Sequence, residues 1–202
     1  MIILISGKQS CGKSTLANKI LTECGTVGAI KLRFAQPIYE MHDAIRNILN
    51  KYKTENYDYS KKDGTLLQIL GTEWARKNID PDVWTKAMKT QLQNIPSNII
   101  KVVEDVRFKN EFHMFDSIDE DIVKIRLVCP KEIRMQRAES WRENDNHESE
   151  IDMNDYTENG KFDMYLQTNV LSVDECFEKV KSLLTARGHS FKPSEGIYEI
   201  FN

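Results

Sequence analysis

The feature that most constrains this chain is a glycine-rich segment that directly follows an apolar run. Residues 1–5 read Met-Ile-Ile-Leu-Ile and predict a strand buried on both faces. The segment at 7–14, Gly-Lys-Gln-Ser-Cys-Gly-Lys-Ser, fits the pattern G-x-x-x-x-G-K-[ST]. Apolar residues then recur at helical spacing from Leu16 to Leu21. The chain therefore opens with a strand, a glycine-rich turn and a helix.

This segment predicts a P-loop, which is a binding site for nucleotide phosphates. Its glycines let successive backbone N–H groups face inward, and the positive end of the following helix points at the same place. Lys13 is expected to reach the β and γ phosphates of ATP, and Ser14 to ligate Mg²⁺. An ordinary strand-to-helix turn is the alternative, which the flanking elements disfavour. The predicted nucleotide-binding residues are Gly7, Lys8, Gln9, Ser10, Cys11, Gly12, Lys13, Ser14 and Thr15.

The rest of the chain alternates between strands and helices. Such alternation predicts parallel strands joined by right-handed crossovers, and hence a single three-layer α/β/α domain. Further strands are predicted at 29–35, 99–103, 122–129 and 162–167. Helices are predicted at 37–52, 65–77, 81–93, 110–115, 131–142 and 172–184, with Asp80 as the N-cap of the third and Ser172 with Glu175 as a capping box for the last. The acidic stretch 143–161 is predicted to be a mobile loop, and the structure of the tail from Thr185 is left open.

Composition narrows the classes of partner. The 202 residues include 28 Lys plus Arg and 31 Asp plus Glu, for a net charge of -3, whereas proteins that coat nucleic acid or anionic lipid usually carry a basic excess. No apolar run is long enough to cross a membrane, and no secretory leader precedes the four scattered cysteines. We therefore expect a soluble cytoplasmic protein with reduced thiols that binds neither nucleic acid polymers nor membranes.

Arginines predicted near the carboxyl edge of the sheet favour phosphoryl transfer, which brings several negative charges together. Arg107 follows the third strand, and Asp105 just before it is placed to organise Mg²⁺ or to orient Arg107. Arg134, Arg137 and Arg142 lie on or near one helix face and predict a lid over the phosphates. The alternatives are a surface salt bridge of Arg107 with Glu111 and a solvated face for the lid arginines.

The long stretch between the second and third strands is predicted to hold the acceptor of the phosphoryl group. Within residues 36–95, Arg76 is the candidate for binding an acceptor phosphate. Trp74 and Trp84 could stack on a base, although tryptophans in amphipathic helices more often pack in the core. Arg33, just before this stretch, is a weaker candidate.

A GTPase switch is excluded because no guanine-reading N-K-x-D sequence follows a later strand, the nearest text being 77–80 after a helix. A motor or regulatory ATPase is weakened by the short chain. It stays open because Glu104 and Asp105 supply the acidic strand ending that such ATPases use.

Several short motifs, in this order and spacing, resemble the bacteriophage-type deoxynucleoside monophosphate kinases over residues 1–184. After the P-loop come Leu-Gly-Thr-Glu at 70–73 with Arg76, Asp-Val-Trp at 82–84, Asp-Val-Arg-Phe at 105–108 with Asn-Glu at 110–111, and His-Glu-Ser-Glu at 147–150.

The resemblance implies a P-loop kinase fold with a parallel five-stranded sheet of order 2-3-1-4-5, ATP as the donor and a deoxynucleoside monophosphate as the acceptor. It adds Glu150 to the substrate-binding residues, which are then Arg33, Trp74, Arg76, Trp84, Arg107, Arg142 and Glu150. The expected catalytic residues are Lys13, Asp105, Arg107, Arg134 and Arg137, with Ser14 and Asp105 on Mg²⁺. A homodimer is compatible with this family.

Two alternative functions stay open. One is a P-loop kinase for another metabolite, such as phosphomevalonate or dephospho-coenzyme A, and the other is a nucleotide-binding regulatory ATPase.

Overall fold

The computed structural model contains one five-stranded sheet in which every pair of neighbours is parallel. It describes residues 1–24, 28–52, 58, 62–139, 141, 143 and 146–189. The strands run in the order β2-β3-β1-β4-β5, which confirms the predicted topology. The first strand is thus central, so the glycine-rich turn that follows it lies at the middle of the carboxyl edge of the sheet. The five strands are β1 Ile2–Ser6, β2 Ala29–Leu32, β3 Ile100–Val106, β4 Ile122–Val128 and β5 Met164–Gln167.

Helices that precede β2 or follow β3 cover the two faces of this sheet. Within the described residues, seven α-helices, a 3₁₀ turn and a π-helix lie between Lys13 and Ile151. No helix within the described residues is long and apolar enough to cross a bilayer. The bounds are α1 Lys13–Glu23, α2 Gln36–Lys51, α3 Gly64–Gln68, α4 Val83–Gln93, α5 Lys109–His113 with a 3₁₀ turn at Met114–Ser117, α6 Lys131–Arg137 and α7 Glu148–Ile151.

The alternation of side chains along β4 separates the two faces. Ile125 joins a core that contains residues of α1 and of α9 (Val173–Ala186). Lys124 and Arg126 point to the opposite face, where their cationic groups lie over the rings of Phe112 and Phe162. The period of two in a buried strand therefore places an arginine between the sheet and its second helical layer.

The chain divides into two compact units. One consists of Met1–Leu32 and Ile95–Asn202 and contains the sheet. The other, Arg33–Asn94, is helical and has nearly the bounds of the stretch predicted to hold the acceptor. In this helical unit α3 continues as a π-helix, Ile69–Ile79, in which the carbonyl of Gly71 accepts a hydrogen bond from the indole N–H of Trp84 at 2.8 Å.

The segment predicted to be a mobile loop, 143–161, instead contains two short helices, α7 and α8 (Asn154–Glu158). Its acidic composition suggested a solvated loop, but Glu150 and Met153 are buried and anchor it to the sheet unit. The prediction was wrong because composition does not show which carboxylates have a buried cationic partner.

Several element ends also differ from the prediction. Helix α6 stops at Arg137 because Ala138 adopts an extended conformation, so the helix predicted to reach 142 is shorter. Asp82 occupies the N-cap position of α4 without a side-chain capping hydrogen bond, and Asp80 accepts from the Asp82 backbone N–H at 2.8 Å. The strands β2 and β5 are shorter than predicted, whereas β3 extends through the acidic residues to Val106. The capping box of Ser172 and Glu175 is confirmed.

Candidate functional site

The P-loop has the backbone conformation that its sequence demands. Gly12 has a φ of 87°, a left-handed value that glycine adopts without strain, and it immediately precedes α1. A Cβ at Gly7 would lie 3.0 Å from the carbonyl oxygen of Leu127 in β4, so a larger residue would push the loop away from the sheet. Both glycines are therefore required by the geometry of the turn.

Lys13 folds back over this loop. Its Nζ donates to the carbonyl oxygens of Gly7 at 2.8 Å and Lys8 at 2.7 Å. Burial, and secondarily the positive charge of Arg107, lowers the pKa of Lys13 to about 7. An anion bound beside Lys13 would restore the charged form.

A carboxylate of the chain itself already lies at the P-loop and partly offsets this lowering of the Lys13 pKa. The Glu150 carboxylate, buried at the start of α7, accepts a hydrogen bond from the Gln9 backbone N–H at 2.9 Å and another from Nη1 of Arg107. Burial opposes ionisation, but Arg107, the Gln9 N–H and Lys13 outweigh it and lower the pKa of Glu150. A P-loop N–H and an arginine thus bind one carboxylate, and the charge of Lys13 also favours its ionised form, so this end of the loop is suited to an anion.

The turn after β3 is held in place from two sides. The Glu111 carboxylate accepts from the backbone N–H groups of Arg107 at 2.7 Å and Phe108 at 3.0 Å. Asp152, beyond α7, accepts from the Lys109 N–H at 2.7 Å. The backbone of Arg107 is therefore fixed, and Glu111 bonds to that backbone, which differs from the surface salt bridge considered from the sequence.

Ser14 and Asp105 are oxygen donors of the kind that Mg²⁺ prefers. Ser14 is exposed in the first turn of α1, and Asp105 is half-buried near the end of β3. Among the described residues no cluster of three or more His, Cys, Asp or Glu could hold a metal by itself. Magnesium usually takes one or two protein oxygens and completes its shell with phosphate and water, so this donor set fits a nucleotide-borne ion.

The two predicted lid arginines within the described residues lie beside the P-loop, and each donates hydrogen bonds to oxygen atoms of the chain. Arg134 is buried and donates to the carbonyl oxygens of Cys129 at 3.2 Å and Gln9 at 3.3 Å. Arg137 donates to Thr168, at 2.7 Å to its carbonyl oxygen and 3.3 Å to its hydroxyl. The Thr168 hydroxyl in turn donates to the carbonyl oxygen of Cys11. Arg142, the third predicted lid arginine, lies outside the described residues.

The other predicted acceptor residues lie in the helical unit. Arg76 is buried and donates to the Pro81 carbonyl at 3.2 Å, and the Arg33 guanidinium lies 5.8 Å from the Tyr39 ring. The two tryptophans differ, since Trp74 is 46% exposed whereas Trp84 is 4% exposed. Trp84 thus packs inside the unit, while the indole of Trp74 is open to a ligand.

Sequence reasoning missed Arg126 and Ser6. Arg126 is 5% exposed on β4 and donates to the Ser6 hydroxyl at 2.7 Å, and Ser6 donates to the Val106 carbonyl oxygen at 2.7 Å. The available signal was an arginine within the apolar run 122–129, since a strand buried on both faces rarely carries a charge without a reason.

The four cysteines are free and buried, in agreement with reduced thiols. Burial raises the pKa of the Cys11 thiol despite its place near the start of α1. Cys11 is therefore a packing residue of the P-loop in this state.

Comparison with solved structures gives low sequence identity over nearly the whole chain. The Thermus thermophilus protein TT1252 is 14% identical, with a TM-score of 0.55 over 94% of this chain and 98% of that one, which shows a shared fold. Shikimate kinases from Aquifex aeolicus vf5 and Bacteroides thetaiotaomicron are 13% and 11% identical, with TM-scores of 0.47 and 0.48. They cover 93% and 92% of this chain and 97% and 98% of their own. These two scores are too low to support a further conclusion.

No curated protein matches the sequence. A family model described as an AAA domain, AAA_18, matches residues 3–159, which include the P-loop, Arg107 and Glu150. Because this match spans most of the chain, the protein belongs to that AAA domain family.

Proposed function

We propose that this protein is a deoxynucleoside monophosphate kinase that transfers the γ-phosphoryl group of ATP to a deoxynucleoside monophosphate. The supporting observation is the meeting of three motif segments at one anion position. Gln9 of the P-loop, Arg107 after β3 and Glu150 of α7 are far apart in sequence but share two hydrogen bonds around one carboxylate. These are the segments on which the resemblance to such kinases depends.

The proposed reaction is a direct in-line transfer. An oxygen of the acceptor monophosphate forms a bond to the γ-phosphorus, the bond from that phosphorus to the β-phosphate oxygen breaks, and the products are ADP and a deoxynucleoside diphosphate. The acceptor phosphate is already largely ionised near neutral pH, so no general base is required. Catalysis then comes from positioning and from stabilisation of the charge on the transferring group.

Each cation has a distinct part in this proposal. The P-loop residues 7–15 would bind the ATP phosphates, and Lys13 would contact the transferring group, with Arg134 and Arg137 at its side. Arg107 would exchange Glu150 for a phosphate. Ser14 and Asp105 would hold Mg²⁺, which would neutralise charge on the phosphates.

For the acceptor we propose Arg76 and Arg33 as phosphate-binding residues and Trp74 as the base-stacking residue. Trp74 is favoured over Trp84 because its ring is exposed and the N–H of Trp84 is already bonded to Gly71. Glu150, once released from Arg107, is the carboxylate available to the acceptor.

The test is ADP release from ATP measured with each deoxynucleoside monophosphate in turn, with Lys13→Ala as the inactive control. We expect turnover that depends on the acceptor and disappears in the variant. If phosphomevalonate or dephospho-coenzyme A is turned over and no deoxynucleoside monophosphate is, the protein is a kinase for that other class of acceptor. Hydrolysis of ATP that no small acceptor stimulates would refute the kinase and favour a regulatory ATPase, a class to which the AAA domain description also points.

A further inference from the structure

Arg126 is a buried cation to which the proposed reaction assigns no part. It is 5% exposed, and within the part of the chain that the structure describes it forms no ion pair. Its contacts are the Ser6 hydroxyl and the ring of Phe162, whose centroid lies 5.7 Å from the guanidinium carbon. A guanidinium stays charged at physiological pH, and burying it without a paired anion is costly. Such a charge indicates that an anion binds nearby.

The charges around Arg126 are those of the P-loop site. Burial lowers the pKa of Arg126, Arg107 lowers it further, and Glu150 acts in the opposite direction. Arg126 in turn helps to lower the pKa of Lys13. Glu150 thus acts on Lys13 and on Arg126 and pairs with Arg107, and within this group of four the three cations outnumber the carboxylate. A polyphosphate would add negative charge to this group.

A hydrogen-bonded path also connects Arg126 with the backbone of Arg107. Arg126 donates to the Ser6 hydroxyl, and Ser6 donates to the carbonyl oxygen of Val106, the residue before Arg107. The pairing register of β1 with β3 shifts between Leu4 and Ser6, so the strand ladder is irregular at this point. The Ser6 hydroxyl therefore fixes the end of β3 where regular backbone pairing is interrupted.

We propose that Arg126 is a positioning residue of the phosphoryl-transfer site. It acts through Ser6 on the backbone that presents Arg107, and through its buried charge on the polyphosphate bound at the P-loop. This inference rests on the proposed function, because ATP is the anion that it invokes.

The experiment compares Arg126→Gln, which keeps a hydrogen-bond donor but loses the charge, with Arg126→Lys, which keeps the charge. Lys124→Gln is the matched control, since Lys124 is a cation on the same face of β4 that pairs with Asp116 instead.

Binding of ATP with Mg²⁺ is measured by calorimetry, turnover by ADP release, and thermal stability without nucleotide. We expect Arg126→Gln to weaken ATP binding on the order of tenfold, the size of a charge interaction across a partly buried site. Arg126→Lys should recover most of this loss, and Lys124→Gln should bind ATP normally.

The thermal stability of the Arg126→Gln protein tells whether Arg126 is a positioning residue or a packing residue. Removing an unpaired buried charge should leave the thermal midpoint of the nucleotide-free protein unchanged or raise it. A lower midpoint with unchanged ATP affinity would overturn the inference, as would ATP binding and turnover within twofold of the parent. If Arg126→Gln does not fold, Ser6→Ala decides: a fall in turnover of several-fold at unchanged stability supports the path through Ser6, and unchanged turnover refutes it.

Failure of the proposed function gives a different pattern. If Lys13→Ala binds ATP as the parent does, the P-loop assignment itself is wrong. If Lys13→Ala loses ATP binding while the Arg126 variants keep it, only the inference fails. Because ATP binding needs no acceptor, the ATP-binding measurements test the role of Arg126 even when no acceptor is turned over.

Discussion

Arg107 and Arg137 both lie at the carboxyl edge of the sheet, yet their partners differ in charge. Arg107 donates to the Glu150 carboxylate, whereas Arg137 donates to the carbonyl and hydroxyl oxygens of Thr168. Neutral acceptors compensate a guanidinium only weakly, while a buried carboxylate compensates it strongly. When a phosphate binds, Arg107 must therefore exchange one anion for another, whereas Arg137 would give up only hydrogen bonds to neutral acceptors, two on Thr168 and one on the Cys129 sulfur.

This difference suggests two kinds of contribution to one site. A preformed ion pair holds Arg107 in place, and breaking it costs free energy that a bound phosphate must offset. Arg137 on the short helix α6 is partly exposed and free of such a constraint. We expect the first arginine to govern binding and the second to govern the rate of transfer.

The largest loss of turnover is expected from a change at Lys13. This loss is the reference with which the effects at Arg107 and Arg137 are compared. Lys13→Met keeps the length of the side chain and removes its charge, and we expect turnover to fall by about a thousandfold, the scale of losing one charged donor to the transferring group. If turnover of Lys13→Met stays within tenfold of the parent, Lys13 does not contact the transferring group, and the comparison of the two arginines has no reference. The measurement is ADP release at saturating ATP.

Arg107→Gln should have the next largest effect. We expect kcat/KM to fall about a hundredfold, because the variant loses a phosphate ligand and leaves the buried Glu150 without its cation. The paired variant Glu150→Gln should bind ATP several-fold more tightly, since it removes the competing anion. Weaker ATP binding in Glu150→Gln would show that Glu150 holds Arg107 in place instead of competing with phosphate.

Arg137→Ala should lower kcat by about tenfold and leave KM for the acceptor nearly unchanged, since loss of an interaction made only in the transition state lowers kcat and kcat/KM equally. Steady-state kinetics at several acceptor concentrations provide the measurement. An unchanged kcat would assign Arg137 to anchoring α6 on Thr168.

The smallest effect is on pH dependence. The pKa of Lys13 is about 7 in the free protein, and bound triphosphate should raise it, so binding takes up a proton above pH 7. ATP affinity should therefore decrease as pH rises, by about fivefold between pH 7 and pH 8. Both arginines stay charged throughout this range, so the Lys13→Met protein should show a flat profile in calorimetry.

The sequence was sufficient for the sheet order and the P-loop. A buried central strand followed by G-x-x-x-x-G-K-[ST] leaves few alternatives, and Gly7 and Gly12 lie in conformations that the pattern requires. The order 2-3-1-4-5 came from the resemblance of the motifs, and the parallel pairing came from the alternation of elements.

The contacts of Glu150 and Arg126 could not be predicted from the sequence. Glu150 stands in an acidic stretch whose other carboxylates, among the residues that the structure describes, are mostly exposed. Its buried contact with Gln9 and Arg107 distinguishes it from them. Arg126 depends on Ser6, 120 residues away in sequence. Long-range pairing of single polar groups leaves no periodic pattern, so it becomes visible only in the folded chain.

The position of Glu150 also has a consequence for selectivity among anions. A carboxylate tethered to the loop acts as an internal competitor at high effective concentration, and a ligand must displace it to reach Gln9 and Arg107. A lone inorganic phosphate gains few contacts in return, whereas a nucleoside triphosphate brings several phosphate groups and a base. We therefore expect the free protein to bind inorganic phosphate much more weakly than a nucleoside triphosphate.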